Sequence, residues 1–289
     1  MKFPIFEIVK TTVKRFNKDR CGNFSITVSY FALLCSVPLV ALFAFVSTKV
    51  LGNSEIAFRS LNLFSDEFFA QLDPSFFTKL QFLSKNITNL GLFGIVGSLI
   101  AASFLFSNLI YSINFIFKAS YQKSFFYNRL MEYLIMFVIG ILMLISLSIT
   151  AIWTALQRTI QESSLVAKYI NPKIVSLTNN FFVQYLIPFT LTFLVLFILY
   201  KFIPEIRVSS KAAAISAGIS AFLWEIFKRL FVFYVANFSA VGIVLSKLLQ
   251  GTLTSIIFFL LWISFSLMIL FWGAELAAVL NEKFYEKTA

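Results

Sequence analysis

Charge is missing from five long stretches of this chain, and those gaps constrain its fold more than any motif. No Asp, Glu, Lys or Arg occurs from Cys21 to Thr48, Asn86 to Phe117, Tyr133 to Gln157, Ile174 to Tyr200 or Leu248 to Ala274. Ionised side chains are costly in hydrocarbon, and about 20 apolar residues of helix cross its roughly 30 Å. Each gap exceeds that length. A sixth segment, Ala212 to Val235, is apolar but contains Glu225, Lys228 and Arg229. It is counted as a span because without it the final span would be inverted. Strands of a β-barrel are excluded, since they are about 10 residues long with alternating polarity. The expected fold is therefore all-α. It is one polytopic transmembrane domain over 1–289, a bundle of six helices with spans at about 24–47, 90–117, 132–155, 179–202, 212–236 and 253–280. Residues 1–20 form a cytoplasmic tail or interfacial helix, and outer loops lie at about 48–89, 156–178 and 237–252.

Composition agrees. Of 289 residues 59% are hydrophobic and 13% charged, whereas soluble domains are about a quarter charged. There is no histidine, which removes Ser–His and Cys–His nucleophile pairs and imidazole metal ligands. Cys21 and Cys35 would stand about 21 Å apart on one helix, too far for a disulfide, and two thiols alone make no zinc site. Both are read as reduced structural cysteines. No metal site, cofactor site, phosphate loop or catalytic constellation is visible, so the chain is read as a non-enzyme.

Basic residues set the orientation. The tail carries Lys2, Lys10, Lys14, Arg15, Lys18 and Arg20, and the second and fourth connections carry Lys118, Lys123, Arg129 and Lys201, Arg207, Lys211. The loop from Lys49 to Lys85 balances its basic residues with Glu55, Asp66, Glu67 and Asp73. The positive-inside rule then places both termini in the cytoplasm. The net charge of +11 is read as a topology signal and an attraction to anionic headgroups. It is not read as a nucleic-acid footprint, because the charges are scattered over several loops.

The tail lacks the pattern of a cleavable signal peptide. Phe3, Phe6, Ile8, Val9, Val13 and Phe16 alternate with lysines in a loosely helical pattern, suited to the inner surface. Asp73-Pro74 followed by Phe76, Phe77, Leu80, Leu83 and Ile87 predicts an amphipathic helix at the outer interface, and Asn171-Pro172 predicts a turn.

Within the spans, small residues recur at four-residue spacing: Gly94, Ser98 and Ala102; Ala213, Ala217 and Ala221; and Gly273 with Ala274, Ala277 and Ala278. Such stripes let membrane helices approach closely, and tight packing is preferred here over sliding surfaces. Polar stripes run through Ser25, Ser29 and Ser36, and through Ser103, Ser107, Tyr111 and Asn114. They either bond neighbouring helices or line a wet cavity. Pro38 should kink the first span. The strongest functional signal is Glu225, Lys228 and Arg229 at i, i+3 and i+4. Glu225 lies about 21 Å of helix rise beyond Lys211, past the midplane. Glu275 is a second intramembrane acid nearer the cytoplasmic side. These charges either form an internal ion pair that fixes helix register or border a polar cavity for an anion, a headgroup or protons.

Four segments together resemble one family. They are Asp19 followed by Ser29-Tyr30-Phe31-Ala32-Leu33-Leu34-Cys35-Ser36-Val37-Pro38; Tyr200-Lys201-Phe202-Ile203-Pro204 with Arg207-Val208; Gly218, Leu223-Trp224-Glu225, Lys228, Phe231 and Tyr234; and Gly251-Thr252-Leu253, Trp262 and Gly273-Ala274-Glu275-Leu276. The chain resembles the YihY/BrkB family of bacterial inner-membrane proteins, once labelled "ribonuclease BN", in nearly its whole length. Phe31, Cys35 and Gln250 depart from the family pattern. The resemblance implies a six-helix bundle with both termini inside, a multi-pass place in the inner membrane and a link to virulence. It implies no established biochemical activity. The ribonuclease label fits poorly, because the chain has no histidine and no soluble domain to hold RNA.

The resulting expectation is a transporter-like or lipid-handling permease whose polar site lies among the first, second, fifth and last spans. Its candidate residues are Glu225, Lys228, Arg229, Glu275, Arg207, Ser29, Tyr30, Ser107, Asn114 and Tyr234. Asp19, Pro38, Pro204, Gly218, Trp224, Gly251, Trp262 and Gly273 are the structural motif positions. Expected partners are membrane lipids and a small solute or lipid, with no nucleic acid. No ATP-binding motif is present, so transport would be secondary or passive. The competing expectation is a non-transporting protein of envelope integrity.

Overall fold

The structure, a computed structural model, describes residues 5–51, 92–119, 129–142, 186–238 and 252–286. All regular structure among them is helical: α1 (Ile5–Lys18), α2 (Cys21–Leu51), α3 (Leu92–Ile116), α4 (129–142), α5 (Ile187–Phe202), α6 (Ser210–Phe238) and α7 (Thr252–Glu286). The two outer-loop elements expected at 73–87 and 171–172, and motif residue Gly251, lie outside the described residues. Two described segments, Leu99–Ile116 and Ile256–Phe284, are long and apolar enough to cross a membrane, and Cys21–Ser36 and Ile187–Phe202 are shorter apolar helices.

The helix boundaries have local causes. In α1, Glu7 stands in the first turn and Arg15 and Lys18 in the last, complementing the helix dipole. A two-residue turn at Asp19 and Arg20 separates α1 from α2, with Arg20 in the left-handed region at φ 53°. Residue Lys118 closes α3 in the same way at φ 52°. Its amide donates to the Phe115 carbonyl and that of Ala119 to the Asn114 carbonyl, both at 3.0 Å. This is the Schellman closure, with lysine where glycine is usual. In α5, Pro188 stands in the first turn, where a missing amide costs nothing. Residue Pro38 does not end α2, which stays helical through it.

Helix α7 is the central post: α1, α2, α3, α5 and α6 all touch it, while α2 packs on α3 and α5 on α6. The small residues explain how α6 and α7 approach. Ala213, Ala217 and Ala221 of α6 and Ala274 and Ala277 of α7 are all fully buried. Gly273 has no room for any side chain: a Cβ there would stand 2.0 Å from Ser220 Oγ and 2.2 Å from the Tyr200 hydroxyl. Gly218 is different, since a Cβ there would only touch the Phe193 ring at 3.9 Å.

One end of the bundle, here the basal end, gathers α1, the α5–α6 turn, the end of α3 and the end of α7. There Ile8 packs with Ala212, Leu276, Val279 and Leu280. Two buried asparagines clamp the α5–α6 turn. Asn114 accepts from the Glu205 amide at 2.9 Å. Asn281 accepts from the Ser209 amide at 2.7 Å and donates to the Arg207 carbonyl at 3.1 Å. The Lys201 ammonium donates to the Val208 carbonyl across the same turn. Outward from the core, Ile26, Tyr30 and Leu34 on α2 and Phe104, Tyr111 and Phe115 on α3 present large apolar side chains to the surroundings.

Candidate functional site

The charges of α6 lie on one face because residues three apart are near neighbours on a helix. Lys228 Nζ lies 2.7 Å from Glu225 Oε1, and both side chains are less than one-fifth exposed. The two charges are thus paired within one helix, while the buried Glu225 Oε1 accepts no hydrogen bond of normal geometry among the described residues. The residues next to them in sequence join α6 to α7: Trp224 and Trp262 meet edge to face at 5.4 Å, and Phe227 stacks on Trp262 at 4.9 Å. Arg229 and Tyr234 point outward.

A second acidic site lies elsewhere. Glu275 is fully buried. Its Oε1 accepts from the Cys21 thiol at 3.5 Å, and its Oε2 has no hydrogen-bond partner. The Asp19 carboxylate is close enough to interact with it. Motif position Asp19 thus sits at the α1–α2 turn facing a buried acid on α7. This site and the Glu225 pair do not merge. Trp262, beside Trp224 and Phe227, precedes Glu275 on α7 by about 20 Å of helix rise.

The remaining candidates are distributed. Asn114 and the backbone of Arg207 belong to the clamped basal turn, where Pro204 is buried and the Arg207 side chain is exposed. Ser29 is buried, but its hydroxyl donates back to the Ile26 carbonyl of its own helix at 2.8 Å. Ser25 and Ser36 do likewise, to Cys21 and Leu33. The α2 stripe thus satisfies itself, which neither of its two expected uses anticipated. Tyr30 faces outward with its ring edge-on to Phe31, and Ser107 is half-buried.

One polar constellation corrects the sequence reading, which placed Arg129 in the basic second connection. Arg129 and Glu132 of α4 form an ion pair at 2.7 Å with Glu132 buried, and Arg129 Nη1 donates to Ser103 Oγ of α3 at 3.3 Å. Ser103 lies about 20 Å of rise before the end of α3, so this pair sits well inside the bundle. The gap rule hides it by construction, because it treats each charge as the edge of a span. The i, i+3 spacing of opposite charges before an apolar run was the available signal.

At the basal surface Arg15 makes a two-pronged ion pair with Glu282, at 2.8 and 2.5 Å. These bonds hold the Arg15 pKa above its ordinary value. Both cysteines are free and buried, with the Cys35 thiol donating to the Ala101 carbonyl at 2.8 Å. No group of three metal-ligating side chains occurs among the described residues.

Comparison with known proteins gives a consistent result. The sequence profile described as "Virulence factor BrkB" matches residues 12–289. A "UPF0761 membrane protein" of Acinetobacter baylyi is 26% identical over 286 residues, covering 96% of this chain and 62% of the relative. One from Vibrio campbellii is 25% identical over 271 residues, covering 94% and 81%. One from Haemophilus influenzae is 21% identical over 269 residues, covering 93% of each. The chain thus spans less than two thirds of the Acinetobacter relative's length. No solved structure matches the chain significantly.

Proposed function

The chain belongs to the Virulence factor BrkB family of membrane proteins, and from that premise we propose that it is a multi-pass inner-membrane permease, transporter-like or lipid-handling, with six spans and both termini in the cytoplasm. The topology is supported by the basal end, where exposed Lys10, Lys14, Lys18, Arg20, Lys118, Arg207 and Lys211 gather. Short basic segments at one end of a bundle match the cytoplasmic bias of Lys and Arg. The permease reading rests on one observation, the Glu225–Lys228 pair half-way along a membrane-length helix. Ionisable residues at that depth are rare and usually mark a pathway.

The test is reconstitution into liposomes with a fluorescent phospholipid and with small anions, comparing wild type with Glu225→Gln/Lys228→Met. Loss of lipid or anion movement in the double variant supports the reading. Full retention removes these residues from the pathway. A second reading, a non-transporting protein of envelope integrity, is favoured by the pairing of Glu225 with a lysine of its own helix and by the self-satisfied serines of α2. Wild-type protein that moves neither probe favours that reading.

A further inference from the structure

Helix α1 carries more apolar surface than its packing uses. At 100° per residue, Arg15, Ile8, Thr12 and Phe16 fall on one arc. That arc faces the protein: Ile8 and Thr12 are buried, Ile8 packs on α7, and Arg15 is tied to Glu282. A second arc, about 60° wide, holds Val9, Val13 and Phe6, which are 42%, 44% and 78% exposed. The next arc holds exposed Lys10 and Lys14, about 40° and 80° beyond Phe6. Glu7 and Lys18 follow. A helix with one face in protein needs no second apolar strip for solubility, and a strip bordered by lysines fits a boundary between acyl chains and anionic headgroups.

We infer that α1 is a lipid-docking foot, with Phe6, Val9 and Val13 inserted among acyl chains of one leaflet and Lys10 and Lys14 bound to anionic phospholipid headgroups. Three observations select this occupant over a protein partner. The strip resembles in character the outward apolar face of α2 (Ile26, Tyr30 and Leu34), which begins eight residues beyond the end of α1. The charge beside it comes from Lys10 and Lys14, and basic residues outnumber acidic ones among the exposed charges of the basal end. The burial of Ile8 and Thr12 against the protein, with the Arg15–Glu282 bonds on the same arc, sets the rotation of α1 about its axis, so the strip keeps its direction. The inference goes beyond the permease reading, since a foot of this kind serves a transporter and a scaffold equally.

The test uses the full chain in nanodiscs of phosphatidylglycerol and phosphatidylcholine. Val13→Cys, Val9→Cys and Lys14→Cys are each spin-labelled, with wild type as the labelling control because Cys21 and Cys35 are buried. Accessibility to oxygen and to a water-soluble nickel complex is then read. Labels at 13 and 9 should favour oxygen and the label at 14 should favour nickel. Lys10→Gln/Lys14→Gln should also reduce retained phosphatidylglycerol over phosphatidylcholine several-fold, at about fivefold per lysine as an upper bound. Equal nickel access at 13, 9 and 14 overturns the inference. So does protection at 13 that appears only when two copies share a disc, since that assigns the strip to a second copy. Unchanged lipid retention in the double variant also overturns the headgroup role.

Discussion

Tyr200 and Gly273 leave no space between them for a methyl group. The Tyr200 hydroxyl donates to the Leu270 carbonyl at 2.8 Å, which draws the ring across α7 at the level of Gly273. A Cβ at 273 would meet that hydroxyl at 2.2 Å and Ser220 Oγ at 2.0 Å. Both Tyr200 and Ser220 are fully buried, so neither can swing into solvent.

Gly273→Ala should therefore displace α5 and α6 from α7 and cost about 1–3 kcal/mol or more, as overpacking does. Thermal unfolding in detergent measures the loss. Adding Tyr200→Phe and Ser220→Ala should restore part of it, because the two closest atoms are then gone. An unaltered melting temperature in the single variant would contradict the close approach.

Lys118 adopts a left-handed conformation that suits glycine or asparagine. Lys118→Gly and Lys118→Asn should stabilise by up to about 1 kcal/mol. Lys118→Ala keeps the strain and should gain nothing. The contrast between Gly and Ala, read as melting temperatures, is the check.

Asn281 bonds the α5–α6 turn twice and Asn114 bonds it once. Asn281→Leu removes the partners of the part-buried Ser209 amide and Arg207 carbonyl, at up to about 1–3 kcal/mol each. It should destabilise more than Asn114→Leu. Limited proteolysis should show faster cleavage within 203–209 in the Asn281 variant.

Glu275→Gln should be tolerated, with stability equal to wild type or higher. The amide keeps an acceptor for Cys21 and supplies a donor toward the Asp19 carboxylate. Glu275→Ala opens a cavity in a fully buried site and should cost about 2 kcal/mol or more by the size of the deleted side chain. If Gln proves as damaging as Ala, the negative charge itself is required there.

Arg15→Gln should change stability by less than about 1 kcal/mol, because the Glu282 side chain is 47% exposed and water screens the pair. The loss should shrink further at high salt. A larger cost would mean that α1 depends on this contact to stay docked.

The gaps between charges revealed the helical class, and the alanine spacing in α6 and α7 revealed a close contact. Side-chain direction was harder to read. Ser103, Ser107, Tyr111 and Asn114 look like one stripe at nearly constant spacing. Four-residue steps on a 3.6-residue helix drift by about 40° each, so Tyr111 lies about 80° round from Ser103 while Asn114 lies about 20°. Accordingly Asn114 is buried at the turn clamp and Tyr111 faces outward. Spacing also cannot reveal that a serine bonds its own helix, as Ser25 and Ser29 do, or that Glu275 finds Cys21 from 254 residues away. Both depend on how the helices rotate about their axes, which packing decides.

Helix α7 touches five of the other described helices, yet the ribosome delivers it after all of them. Until it inserts, α2 with α3 and α5 with α6 can pair, but the alanine groove of α6 and the thiol of Cys21 have nothing to face. Assembly of the described bundle is therefore complete only once α7 packs. A chain cut before Thr252 keeps, among the described helices, the α2–α3 and α5–α6 pairs and leaves the alanine groove of α6 uncovered.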